Sequence, residues 1–142
     1  MNSIDCDHIF GATNVAKVET FKIDGGQADF GDDPHLLGAP QGDAVVCWLN
    51  SGKVAVLGKL YSDNFRDPHT ASVRIRFRRT SGALTPSVRK SVTSQTFWVA
   101  SRSIEVVSPD GNFNQVRLRL TSSQNTALGS TSALVGTRSF NR

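Results

Sequence analysis

The sequence predicts an all-β fold: an antiparallel β-sandwich, jelly-roll or immunoglobulin-like in connectivity, with roughly seven to nine short strands and little helix. Apolar and polar residues alternate in short runs, and turns rich in glycine or proline separate these runs at intervals of about ten residues. Helical periodicity is nowhere sustained over about 11 residues. A barrel is the alternative that these observations leave open. The 142 residues fit one domain, 1–142, which is long enough to bury a core without disulfides or metals.

The N-terminal part of the chain contains a first strand and a long irregular segment. Residues 15–23 alternate, but apolar side chains occur on both sides of the strand, so its register is ambiguous. Gly25-Gly26 ends this strand. Residues 24–43 are rich in glycine and aspartate, and they predict a surface loop. Loops of this length are often functional.

The middle of the chain contains the clearest hairpin. Residues 44–49 and 53–62 are two strands joined by Asn50-Ser51-Gly52, whose glycine suits a left-handed turn position. A second turn, Pro109-Asp110-Gly111-Asn112, has a proline that presets its first angle and a glycine that can supply a positive φ. Further strands are predicted over residues 71–80, 88–92, 96–107 and 113–122.

The C-terminal segment, residues 121–142, is rich in serine and threonine. We expect residues 124–130 to form a flexible tail because they contain little that could be buried. Residues 133–140 include the apolar run Ala133-Leu134-Val135. They predict an edge strand that docks on its own sheet or on that of a neighbouring molecule.

Two of the predicted strands carry arginines at every second position. Residues 73–78 and 116–120 alternate between apolar residues and arginine, so each strand presents core residues on one face and guanidinium groups on the other. The planar arginine fork binds carboxylates, phosphates and sulfates in bidentate fashion and stacks on sugar or aromatic rings. The alternative is a solvated face whose arginines deter edge pairing. The candidate ligand-binding residues are Arg74, Arg76, Arg78, Arg117 and Arg119, with Tyr61 and Trp98 as aromatic neighbours.

Charge is distributed unevenly along the chain, whose net charge is +4. Residues 1–50 contain eight acidic and two basic residues, a balance of −6, whereas residues 51–142 contain four acidic and fourteen basic residues, a balance of +10. The two parts either neutralise each other within one molecule or attract the opposite part of another copy.

These patterns predict a non-catalytic, lectin-like binding module that captures a glycan or another polar or anionic ligand through its loops and its arginine-rich sheet face. The alternative is a self-assembling structural protein of a virus, phage or similar particle, which would use complementary acidic and basic surfaces. A homo-oligomer is expected. Specific nucleic-acid binding is not expected, because Phe77 lies on the face opposite the arginines and no nucleic-acid-binding motif is present.

Two smaller groups of residues are candidates for metal binding or disulfide formation. Asp29, Asp32 and Asp33 surround a glycine and could bind Ca²⁺, although their spacing does not match an EF-hand and a solvated loop is the preferred interpretation. No other cofactor is expected. Cys6 and Cys47 are either free, with Cys47 as a small buried apolar residue, or joined in a disulfide.

No enzymatic activity is expected, because no catalytic motif is present in a workable order. Asp-Pro-His occurs twice, at Asp33-Pro34-His35 and Asp67-Pro68-His69, and could ligate zinc if both loops met, but coincidental turn chemistry is the preferred interpretation. The N-terminus lacks the apolar stretch of a signal peptide, and no run of about 18 apolar residues could span a bilayer. A cytoplasmic, a particle-associated and a mature secreted form all remain open.

Overall fold

A computed structural model of the protein describes residues 6–24, 41–63, 69–94, 99–126 and 129–142. It begins with a short helix, α1 (Cys6–Phe10), and a 3-10 turn, Ala12–Asn14. The strands that follow are β1 (Val15–Asp24), β2 (Gln41–Leu49), β3 (Val54–Asp63), β4 (His69–Arg79), β5 (Val88–Ser94), β6 (Val99–Val107), β7 (Phe113–Thr126) and β8 (Gly129–Asn141).

The strands form two antiparallel sheets of four strands each, which confirms the predicted all-β sandwich. The first sheet has the order β1-β2-β3-β6, and the second sheet has the order β5-β4-β7-β8. The predicted hairpin of β2 and β3 is confirmed, with Val46 opposite Val56. In the second sheet β4 and β7 are adjacent and central, so the two arginine-bearing strands lie side by side.

One hydrophobic core fills the space between the two sheets. Aromatic rings from both sheets meet in it: Phe21 of β1 lies 4.9 Å from Phe140 of β8, measured between ring centroids. Phe77 and Phe113, both in the second sheet, make an edge contact at 5.8 Å. Because strand side chains alternate between faces, each strand contributes every second residue to this core. Its largest fully buried side chains include Trp48, Leu60, Ile75, Phe113, Leu118 and Leu120.

The register of β1, which was ambiguous in the sequence, is fixed by packing. Phe21 faces the core, where it is 7% exposed, whereas Val18 lies on the outer face and is 46% exposed. An irregularity between Val15 and Lys17 shifts the pairing with β2 at the start of the strand. The apolar residues on both sides of β1 therefore reflect one buried face and one partly exposed face.

The first sheet is also covered on its outer face, by the N-terminal segment. Outward side chains of β2 and β3 form a second apolar cluster with Cys6, and Phe10 and Val15 pack against it. Burial on both faces explains why β2 is an uninterrupted apolar run rather than an alternating one. A disulfide joins Cys6 to Cys47, with 5.7 Å between the two Cα atoms, so the interpretation of these residues as free thiols was wrong.

Two turns pack against each other at one end of the sandwich. Gly52 has φ +91°, as predicted for the β2–β3 turn, and a Cβ there would lie 2.9 Å from the backbone nitrogen of Asn112. In the turn before β7, the residue with positive φ is Asn112 at 67°, not Gly111 as predicted. Gly111 is needed for another reason, since a Cβ at that position would lie 2.7 Å from the carbonyl oxygen of Ser51.

The C-terminal segment is largely part of the second sheet. Strand β7 continues to Thr126 and β8 begins at Gly129, so the expectation of a flexible tail over residues 124–130 was wrong for the residues that the structure describes. The docked strand predicted over residues 133–140 is confirmed, and it pairs with β7 of its own sheet.

Arg142 joins the end of β8 to both sheets. Its Nε donates to the backbone carbonyl oxygen of Phe113 at 3.0 Å. Its two terminal nitrogens donate to the backbone carbonyl oxygens of Leu49, at 3.1 Å, and Lys53, at 2.9 Å. The guanidinium carbon also lies 5.1 Å from the ring centroid of Trp48. Desolvation by burial lowers the pKa of Arg142 from its usual value. This side chain therefore links the β2–β3 turn of the first sheet to the start of β7 in the second.

Candidate functional site

The outer face of the second sheet carries the arginines that the sequence singled out. Arg74, Arg76, Arg117 and Arg119 are exposed, and Arg78 is partly buried. We call these five residues the arginine face. The apolar residues that alternate with them are buried in the core, as predicted: Val73, Ile75, Phe77, Val116, Leu118 and Leu120.

The pairing of strands arranges these side chains in rows. Arg74 of β4 is opposite Arg119 of β7, which in turn is opposite Thr137 of β8. We call these three residues the Arg74 row. One step along the sheet, the Arg76 row contains Arg76, Arg117 and Ser139. On β4, β7 and β8 each row thus has two guanidinium groups and one hydroxyl, and successive rows are about 7 Å apart because they are two residues apart along the strands.

The two rows surround a cavity of about 400 Å³ on the outside of the sheet. It is lined by Arg74, Arg76, Arg117, Arg119, Thr137 and Ser139, with Ser87, Leu118 and Arg138 also contributing. Thr137 and Ser139 are residues of β8 in this lining, and the pairing of β8 with β7 brings them beside the arginines.

Side-chain hydrogen bonds orient some of the cations. The Arg117 Nε donates to Oε1 of Gln115 at 2.7 Å, and Nε2 of Gln115 donates to Oδ1 of Asn141 at 2.8 Å. On the other side of β4, Arg89 pairs in register with Arg74 and donates to the Ser72 hydroxyl at 3.1 Å. The Gln115 and Asn141 contacts therefore restrain the Arg117 side chain through its Nε.

The second sheet has charge of one sign. Its four strands contain nine Arg and Lys residues and no Asp or Glu, whereas the strands of the first sheet contain four basic and five acidic residues. Within the described ranges, no carboxylate forms an ion pair with Arg74, Arg76, Arg117 or Arg119. Two such charges about 7 Å apart in water repel by only about 0.6 kcal/mol, so the fold tolerates them without counterions.

Arg79, the last residue of β4, instead forms an ion pair with Asp110. Its terminal nitrogens donate to both carboxylate oxygens of Asp110, at 2.6 and 3.1 Å, and its guanidinium lies 4.6 Å from the Phe113 ring centroid. The hydrogen bond from Arg79 lowers the pKa of Asp110, and the same bond raises the pKa of Arg79. This exposed pair supports the turn before β7 and takes no part in the arginine face.

The other predicted site residues are placed only in part. Tyr61 belongs to β3 in the first sheet, not to the sheet that bears the arginine face, and its side chain lies outside the described part of the structure. Trp98 and the proposed calcium ligands Asp29, Asp32 and Asp33 also lie outside the described residues. Among the residues that are described, no group of three or more His, Cys, Asp or Glu side chains could hold a metal ion.

Sequence reasoning missed the hydroxyl residues of the two rows. Thr137 and Ser139 alternate with Arg138 and the buried Phe140, which is a period-two signal. That signal places the two hydroxyls on one face of a strand. It does not say which strand lies beside them, and this is what brings them to the arginines.

Comparisons with protein-family models, with curated proteins and with solved structures give no match. By its fold and its site, this protein is a two-sheet β-sandwich whose second sheet has a basic outer face with a cavity. None of the helices in the described part of the chain has the length and apolar character needed to cross a bilayer.

Proposed function

We propose that this protein is a non-catalytic, lectin-like binding module that captures an anionic glycan on the outer face of its second sheet. The observation that carries the proposal is the set of four exposed arginines that surround one cavity and have no paired carboxylate within the described residues. Guanidinium groups bind sulfates and carboxylates through paired hydrogen bonds. Hydroxyls of Thr137 and Ser139 can donate and accept beside them.

A glycan fits this face better than a single-stranded nucleic acid. Proteins that bind single strands stack the bases on exposed aromatic side chains that are interleaved with basic ones. In the described part of the second sheet, the aromatic side chains Phe77, Phe113 and Phe140 are all buried in the core. The exposed side chains around the arginines are hydroxyl and amide groups, which suit the hydroxyl groups of sugars.

Replacing three arginines of the face by glutamine should abolish most of the binding and preserve the fold. We expect the variant Arg74→Gln/Arg76→Gln/Arg117→Gln to bind heparin, a polyanionic glycan, about 100-fold more weakly, because it loses three contacts worth about 1 kcal/mol each. Its thermal unfolding should stay cooperative, since these side chains are exposed. Titration at about 0.15 M NaCl measures the affinity under physiological screening.

The matched control removes three positive charges elsewhere. The control variant is Lys53→Gln/Lys59→Gln/Arg102→Gln, whose three positions lie in or beside strands of the first sheet. It has the same net charge as the triple arginine variant, but its arginine face is intact. We expect it to bind heparin within about twofold of the unmodified protein. Equal losses in both triple variants would mean that net charge alone drives binding, and undiminished binding by the first variant would show that the face is merely solvated.

Self-assembly of a structural particle protein is a second candidate function. It is favoured by the charge balance of −6 in residues 1–50 against +10 in residues 51–142, together with a second sheet whose strands contain no acid. Contacts between unlike surfaces of different copies weaken with salt. Size-exclusion chromatography with light scattering should then show a large assembly at low salt that dissociates at high salt. A small species of constant mass at both salt concentrations would contradict this function.

A further inference from the structure

We infer that the Arg74 row and the Arg76 row are two separate oxyanion subsites, and that the ligand is a linear sulfated polysaccharide lying along β4 and β7. This inference rests on the proposed function and names the ligand class of the same face. It follows from three features of the rows: the number of donors in each, the cavity that they share, and the way in which one arginine is held.

The number of donors in a row matches a sulfate ester. On the three adjacent strands β4, β7 and β8, about 4.8 Å apart, each row offers two guanidinium forks and one hydroxyl. Arg89 of β5 is in register with Arg74, but it is bonded to Ser72 and does not line the cavity. A sulfate ester has three terminal oxygens, so each of the three side chains can bind a different oxygen. A carboxylate or a phosphodiester has only two free oxygens, so one of them would have to accept from two of the three side chains of the row.

The cavity places the hydroxyl where such an anion would rest. The cavity is lined by all six residues of the two rows. An anion held in it can therefore meet guanidinium groups and a hydroxyl of the same lining. The approach is from solvent, so a polymer can enter without rearrangement of the sheet.

The Arg76 row is organised before any ligand arrives. The Arg117 Nε is already bonded to Gln115, which is itself held by Asn141, and these contacts restrain the Arg117 side chain. Ordering a long side chain in advance removes part of the entropy loss on binding. Successive rows are about 7 Å apart, and a polymer that fills both must therefore carry sulfate groups at about this interval.

The test removes the hydroxyl groups and leaves every charge in place. The variant Thr137→Val/Ser139→Ala has the same net charge and the same arginines as the unmodified protein. We expect it to bind dextran sulfate about tenfold more weakly, and to lose clearly less affinity for hyaluronate, a glycan with carboxylates only. The matched control Ser101→Ala/Ser103→Ala removes two exposed hydroxyls of β6 in the first sheet and should change neither affinity.

The outcomes separate this inference from the proposed function. If the triple arginine variant loses binding to heparin but Thr137→Val/Ser139→Ala binds dextran sulfate with full affinity, the face binds anions without sulfate subsites and the inference is overturned. If the unmodified protein binds hyaluronate or single-stranded oligothymidylate more tightly than dextran sulfate, the ligand class is wrong. If it binds none of these polyanions, the proposed function itself fails. Circular dichroism checks that each variant is folded.

Discussion

The double substitution Cys6→Ala/Cys47→Ala is expected to lower the free energy of unfolding by about 4 kcal/mol. The disulfide joins residues separated by 41 positions, and cutting it releases a long loop of the unfolded chain from its constraint. It also frees the N-terminal segment that covers the apolar outer face of β2 and β3. Urea denaturation, followed by circular dichroism, measures the loss as a lower midpoint.

Reduction of the unmodified protein provides the control. In an excess of reductant, the unmodified protein should unfold at the same urea concentration as the double variant. The two midpoints should differ only by the small effect of replacing two cysteine thiols by alanine. The double variant itself should not respond to reductant. A midpoint that is the same for the oxidised protein and the double variant would mean that the disulfide contributes nothing to stability.

The second large effect is expected for Trp48→Ala, which should destabilise the fold by about 3–5 kcal/mol. Trp48 is completely buried between the sheets, and its Nε1 donates to Oε1 of Glu19 at 3.2 Å. Its ring lies 5.8 Å from the Lys17 ammonium and 5.1 Å from the Arg142 guanidinium. The substitution removes a large volume from the core and also the ring against which two cations pack. Circular dichroism is the appropriate signal, because the substitution removes one of the two tryptophans of the chain and so changes the fluorescence itself.

Trp48→Phe separates ring packing from the hydrogen bond. It keeps an aromatic ring in the core but leaves Glu19 without the indole donor, so we expect a loss of about 1–2 kcal/mol. Heparin binding should be retained by this variant, since Trp48 belongs to the first sheet and the arginine face to the second. A variant Trp48→Ala as stable as the unmodified protein would contradict the placement of this residue in the core.

The strands and most of the turns could be predicted from the sequence because their signals are local. Period-two alternation in β4 and β7 determines which side chains are buried, so the arginine face could be predicted before the strand order was known. Gly52 could be identified as a left-handed turn residue because it is the glycine of a short turn between two strands. The role of Gly111 could not, since it depends on the approach of Ser51 from a different turn.

Features that join distant parts of the chain could not be predicted. The apolar run of β2 is compatible with several kinds of buried strand, and nothing local shows that Cys6 and α1 cover its outer face. The neighbours of the arginines depend on how β8 pairs with β7, and that pairing includes an irregularity between Leu120 and Thr121. The sequence therefore predicted the cations of the candidate site but not the hydroxyl groups that complete its rows.

The contacts of Arg142 and β8 have a consequence for the order in which the protein folds during synthesis. The meander of β1, β2 and β3 is complete once residue 63 has left the ribosome, and its strands need no later residue for their mutual hydrogen bonds. In contrast, β7 cannot pair with β8 until residues 129–141 emerge. The three carbonyl groups that accept hydrogen bonds from Arg142 have no such donor until residue 142 is made. Completion of the second sheet is thus a late event, and the edge of β7 stays unpaired until then.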